Sequence, residues 1–202
     1  MQVLVAGATG KTGLRLVREL QIRGHQPVAL VREGSDTAAL PEGTTLRRGD
    51  LTDLSPDVCE GCDAVVFAAG SGGDTDDATT DRVDRDGAIR LIDLASDAGV
   101  DRFVMLSSVG AGDPDPDSDL AHYLKAKHAA DEHLKASGLS YAIVRPVALT
   151  DDDGQGDIRF GDAVDVGGKA ARGDVATVLA QAVTDSDWTG QARMMESVPA
   201  AA

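Results

Sequence analysis

The chain has 202 residues, 42% of them hydrophobic, with 34 acidic against 19 basic residues and a formal net charge of −15. That length and apolar content fit one globular domain with a sizeable core, and no apolar run is long enough to cross a bilayer. A surface this acidic argues against sequence-independent nucleic-acid binding, which relies on clustered basic groups.

No basic segment followed by an apolar one opens the chain, so no signal peptide is read and a cytoplasmic protein is expected. The acid is mostly Asp, and Lys is confined to Lys11, Lys125, Lys127, Lys135 and Lys169. Asp74, Asp76, Asp77, then Asp113 to Asp119, then Asp151 to Asp153 spread the charge along the whole chain. That spread predicts adaptation to high salt, where screening reduces self-repulsion; an ordinary solvated surface is the alternative.

Val3 to Ala6 reads as a first buried strand. Lys11 to Arg23 follows as a helix, with Leu14, Leu16, Val17, Leu20 and Ile22 near helical spacing and Gly24 as its stop. "PVALVR" is a second strand, "TTLRRGD" a short third and "AVVFAAG" a fourth whose unbroken apolar character implies burial on both faces. A long helix is predicted over Asp81 to Ala98, striped by Ile89, Leu91, Ile92, Leu94 and Ala95. "RFVMLSSVG" is a fifth strand, Ala121 to Ser137 a helix and "YAIVRP" a sixth strand. Gly173 to Thr184 reads as a last helix and "ARMMES" as a last strand, while Asp151 to Lys169 is too rich in Gly and Asp to assign. The alternation predicts an α/β chain: a Rossmann-like, doubly wound parallel sheet with helices on both faces, in one domain spanning residues 1–202. About residues 150–202 would form a small segment on the substrate side.

Two motifs raise chemistry. Cys59 and Cys62 have C-x-x-C spacing, but no second Cys or His pair supplies four zinc ligands, and Cys62 opens an apolar run where packing is expected. Gly7, Gly10 and Gly13 stand as G-x-x-G-x-x-G between the first strand and the first helix. There a backbone without Cβ lets a pyrophosphate approach the amides, and the helix N-terminus supplies free N–H groups and a positive dipole end. Thr9 and Thr12 add hydroxyls. A turn serving only helix–strand packing is the competing reading. At the end of the second strand, Val31 and Arg32 replace the acid that would accept from a ribose 2′-OH. Arg32, helped by Lys11, suits a 2′-phosphate and points to NADP, with NAD possible should Glu33 reach the ribose instead.

"GATGKTG", "GDLTD", "AVVFAAG", "RFVMLSSVG" and "YAIVRP", in that order over almost the whole chain, resemble an atypical short-chain dehydrogenase/reductase. The closer likeness is to the small NAD(P)-binding group related to NmrA-like proteins and to flavin/biliverdin reductase. The resemblance implies that Asp50 and Leu51 flank the adenine and that Ala68, Ala69 and Gly70 line the ribose and pyrophosphate. It implies too that Pro146, Val147 and Ala148 close over the nicotinamide, with Ser107 also on the cofactor side. Dehydrogenases of the family use Ser with Y-x-x-x-K, which Ser108, Tyr123 and Lys127 match. Tyr and Lys four apart share a helix face. Tyr123 would then exchange a proton with a carbonyl or alcohol, Lys127 would lower the phenol pKa and hold the ribose, and Ser108 would orient the substrate oxygen.

Tyr123 packed at a helix edge and Lys127 merely solvated, or a ribose clamp alone, stand as the alternative. Asp84 departs from the Asn often found in longer members, and the segment after the sixth strand leaves room only for a small lid. Of the histidines, His25 and His133 read as surface residues, while His122 and His128 flank the Tyr–Lys pair. Three functions fit: an NADP-dependent reductase or epimerase of a small molecule, an NADP-reading sensor without turnover, and an assembly factor that keeps the fold as a scaffold. No metal, nucleic-acid or membrane partner is expected, and a monomer or homodimer is.

Overall fold

In β1 (Gln2–Ala6), Val3 and Val5 point to one side of the sheet and Leu4 and Ala6 to the other, and all four are fully buried. A strand buried on both faces needs helices on both sides. The computed structural model, which describes residues 1–71 and 76–198, provides them. Asp74 and part of the Ser71–Thr80 loop lie outside the described residues.

Helix α1 (Lys11–Ile22) follows, then β2 (Gln26–Val31), β3 (Thr45–Arg48) and β4 (Ala64–Phe67). Next come α2 (Asp77–Thr80), a π-helical stretch (Asp81–Gly87), α3 (Ala88–Asp97) and β5 (Arg102–Leu106). The chain continues through α4 (Ala121–Ala136), β6 (Tyr141–Pro146), β7 (Ala148–Thr150), β8 (Ile158–Phe160), β9 (Lys169–Ala171), α5 (Arg172–Ala182) and β10 (Gln191–Ser197). The main sheet runs β3-β2-β1-β4-β5-β6-β10-β8. Every pairing in it is parallel except β10 with β8. A separate pair, β7 with β9, is parallel.

Alternate strand residues divide the core in two. Val3, Val5, Val31, Val66, Val104 and Val144 pack with Leu16, Val17 and Leu20 of α1 and with Val175 and Leu179 of α5. Leu4, Val28, Val65, Phe67, Phe103, Met105 and Ile143 pack with Leu91 and Ile92 of α3 and Leu134 of α4. The strand order reverses between β1 and β4, so the helices that follow them, α1 and α3, pack on opposite faces of the sheet.

The structure differs from the sequence reading in three places. The helix expected from Asp81 starts at Asp77, because Asp76 caps it by accepting from the Thr79 N–H at 2.7 Å, and it is π-helical over Asp81–Gly87. The fourth and fifth strands stop at Phe67 and Leu106, so that Ala68 to Gly70 and Ser107 to Gly110 cross the top of the sheet as loop. The unassigned segment holds β8 and runs into the start of β9, and two buried carboxylates pin it. Glu196 accepts from Arg159 Nη1 at 2.6 Å and from the Asp165 N–H at 3.1 Å. Asp174 accepts from the Gly156 N–H at 2.9 Å and from Ser197 Oγ at 2.6 Å.

Among the described residues no helix is long and apolar enough to cross a membrane. Cys62 packs in the α3 and α4 side of the core just before β4, with Arg47 Nη1 donating to its Sγ at 3.3 Å. Cys59 is also free and buried, and burial pushes its thiol up to about 12, which leaves almost no thiolate at neutral pH.

Candidate functional site

The glycine loop after β1 is tightly packed. Gly7 has φ +82°, and a Cβ there would stand 2.6 Å from the Ala69 nitrogen and 2.7 Å from the Ala68 oxygen. A Cβ on Gly13 would run into the Gly7 carbonyl. Only glycine lets β1, α1 and the end of β4 meet so closely. The N-cap of α1 is Gly10, which has no side chain to cover the helix end. The first-turn N–H groups are therefore open to an anion.

A groove of about 970 Å³ runs over this loop along the C-terminal ends of β1, β2, β4 and β5. Gly7, Thr9, Gly10, Lys11 and Thr12 line its middle, together with Arg172 from the start of α5. The residues present fit a dinucleotide: an open helix end for the pyrophosphate, with a recess on each side.

One recess is lined by Val31, Arg32, Ser35, Asp50 and Leu51. It continues into a side cavity bounded by Arg32, Glu33, Ser35 and Arg48, where Arg48 Nη1 donates to the Arg32 carbonyl at 2.9 Å. Asp50 Oδ1 accepts from the Thr52 N–H at 2.9 Å and from Thr52 Oγ1 at 2.8 Å, and these bonds hold its carboxyl below the usual range. Lys11 extends the other way, to Asp151 Oδ2 at 2.5 Å.

The second recess is lined by Ala68, Ala69, Gly70, Ser71, Leu106, Ser107, His122, Tyr123, Lys127 and Leu149. Lys127 is 3% exposed, and its Nζ lies 2.9 Å from Oδ1 of the fully buried Asp84. The same Nζ is 5.8 Å from the centre of the Tyr123 ring and 5.6 Å from that of Phe67. Burial disfavours the ammonium, but Tyr123, Asp84 and Asp131 outweigh it, and the net direction is upward. Asp84 Oδ2 accepts from the Ser71 N–H at 2.9 Å, which ties the loop after β4 to the same carboxylate.

One turn after Lys127, the fully buried Asp131 gathers three donors on Oδ2: Ser107 Oγ at 2.9 Å, Arg145 Nε at 3.0 Å and Arg145 Nη2 at 2.9 Å. Its Oδ1 has no hydrogen-bond partner among the described residues. Burial pushes this carboxyl up, against the pull of Arg145 and Ser107.

The groove thus brings together the glycine loop, Arg32, Asp50, Leu51, Ala68 to Gly70, Ser107, Tyr123 and Lys127. Gly13, Ser108, Pro146, Val147 and Ala148 do not line it. Gly13 packs under the loop, Pro146 and Val147 are buried, and Ala148 is exposed, with Leu149 in the groove instead. His122 Nε2 lies 3.0 Å from Asp81 at the rim, and His128 Nδ1 lies 2.8 Å from the Ala111 carbonyl.

Sequence reasoning did not single out Arg48, Asp131, Arg145 or Arg172, and saw Asp84 only as a departure. Signals existed for two of them. Asp84 falls in the buried stripe of Thr80, Ala88, Leu91 and Ala95, and Asp131 falls in that of Leu124, Lys127 and Leu134. A carboxylate in an apolar stripe needs a partner.

The family model described as NAD(P)H-binding matches residues 7–186. The uncharacterised sugar epimerase YhfK of Bacillus subtilis (strain 168) is 38% identical over 187 residues, covering 89% of this chain and 87% of its own. A solved protein of Bacillus halodurans, named as a candidate NAD-dependent epimerase/dehydratase, is 38% identical with a TM-score of 0.92, over 98% of this chain and 94% of that one. The oxidoreductase ylbE of Lactococcus lactis is 28% identical with a TM-score of 0.86, over 100% of this chain and 93% of its own. With the switch-point groove and its glycine loop, these likenesses show that the chain belongs to the NAD(P)H-binding family, in the atypical short-chain dehydrogenase/reductase group.

Proposed function

We propose that the chain is an NADP(H)-dependent oxidoreductase or sugar-epimerase-like enzyme that acts on a small molecule. The observation that carries this reading is the placement of Tyr123 and Lys127 in the same groove as the glycine loop, with Lys127 buried against Asp84. Gly7, Thr9, Gly10 and Thr12 would hold the pyrophosphate, Asp50 and Leu51 the adenine side, and Ala68 to Gly70 the ribose. Arg32, with Arg48 beside it, favours a 2′-phosphate and hence NADP over NAD. The nicotinamide, when bound, supplies hydride chemistry.

The chain's own part is proton handling and orientation. Tyr123 Oη gives a proton to, or takes one from, the substrate carbonyl or hydroxyl oxygen. Lys127 keeps its positive charge beside the phenol because Asp84 balances it. Leu149 and the segment after β6 close the substrate side. The Asp-rich surface supports a high-salt cytoplasm, and two free thiols fit a reducing compartment.

One observation favours a second reading, a cofactor-binding sensor without turnover. Ser108 does not line the groove, and Ser107 Oγ is committed to Asp131. The Tyr123→Phe variant separates the two. For an enzyme it loses about a hundredfold or more in reduction of carbonyl or quinone substrates while keeping its NADP(H) affinity. A variant as active as the parent moves the assignment to the sensor.

A further inference from the structure

We propose that Arg172 is a ligand of the dinucleotide's pyrophosphate, so that the segment after β6 is part of the cofactor site and not only of the substrate side. The inference rests on the groove being a dinucleotide site. Arg172 is the first residue of α5, far along the chain from the glycine loop, yet it lines the middle of the groove. Its Nη1 lies 3.4 Å from Thr12 Oγ1, in the first turn of α1. Its Nε donates to Asp151 Oδ1 at 2.9 Å, while Nη1 reaches toward the open helix end. Its side chain is 22% exposed, enough to meet a ligand.

Charge makes this position matter. A chain with a net charge of −15 repels a dinucleotide, which itself carries several negative charges, so binding needs cations aimed at the phosphates. Of the cations lining the groove, Arg32 is at one recess and Lys127 at the other. Lys11 and Arg172 stand at the middle, and Asp151 holds both. Arg172 is the one of the two that also contacts Thr12, on the helix end where the pyrophosphate would lie. A planar guanidinium suits that group better than an ammonium does.

The test is calorimetric titration of the full chain with NADP⁺, NAD⁺ and 2′-AMP, which has the 2′-phosphate but no pyrophosphate. Arg172→Gln should weaken NADP⁺ and NAD⁺ alike, on the order of tenfold to a hundredfold, and leave 2′-AMP unchanged. Arg172→Lys should recover part of the loss, which a folding defect would not do. Arg172→Gln binding both dinucleotides as tightly as the parent overturns the assignment alone. Equal losses for 2′-AMP and NADP⁺ also overturn it. A parent chain that binds neither dinucleotide overturns this assignment together with the reading beneath it.

Discussion

Behind the inner wall of the groove, Lys127 meets the fully buried Asp84 and Arg145 the fully buried Asp131; at its solvent side, Lys11, Arg15 and Arg172 meet Asp151 and Asp153. The chemistry is the same and the consequences differ. A buried charge without a partner keeps its full desolvation penalty, so each inner partner locks the other in place. An exposed pair is weak and screened by salt, so the outer cations can be shared with a ligand. The inner cluster suits fixed orientation of Tyr123 and Lys127, and the outer one suits binding.

The largest difference should appear when one partner is removed. Asp84→Ala should destabilise the fold by about 3–5 kcal/mol in urea unfolding, because the Lys127 ammonium is left buried and unpaired. The double variant Asp84→Leu/Lys127→Met should recover much of that loss, since no charge remains to be desolvated. A single variant as stable as the parent would mean that water reaches the inner wall.

Acid and alkali should separate the clusters next. The folded-state pKa of Lys127 lies above the ordinary lysine value of 10.5, so its contribution is full below about that pH and is lost as pH rises through the folded value. Asp151 is held below the ordinary 3.8, first by Lys11 and then by Arg172; its contribution is present above that value and lost as pH falls through the folded one. Urea unfolding across pH should therefore show parent and Lys127→Met converging in strong alkali. A gap that stays constant through that range would contradict the assignment of charge to Lys127.

The smallest effects belong to the mouth. Asp151→Asn should leave the unfolding midpoint nearly unchanged, and any difference should vanish in high salt. The parent's melting temperature should still rise with KCl, because the net repulsion of an Asp-rich chain is larger than the few pairs it screens. A flat or falling series would remove the argument for high-salt adaptation.

The two clusters also mark how far the sequence could be read. The strands β1, β2, β4, β5 and β6 and their helices were legible because continuous apolar runs and helical stripes report burial directly. The glycine loop was legible because its residues are adjacent in the chain. Arg172 was not, since its contact with Thr12 joins segments that only the fold brings together. The segment around β8 was hidden for a similar reason: it is held by Asp174 and Glu196, distant carboxylates that no local periodicity reveals. Tyr123 and Lys127 were found from spacing, but which neighbouring serine enters the groove depends on where β5 ends, and a strand boundary is poorly written in an apolar run.

A crystal structure of the NADP⁺ complex tests the central claim most directly. The account predicts the pyrophosphate on the first turn of α1 between Thr12 and Arg172, the 2′-phosphate at Arg32 and Arg48, and the nicotinamide beside the Tyr123 hydroxyl and Lys127. A dinucleotide bound outside the groove, or a nicotinamide facing away from Tyr123 and Lys127, would contradict it.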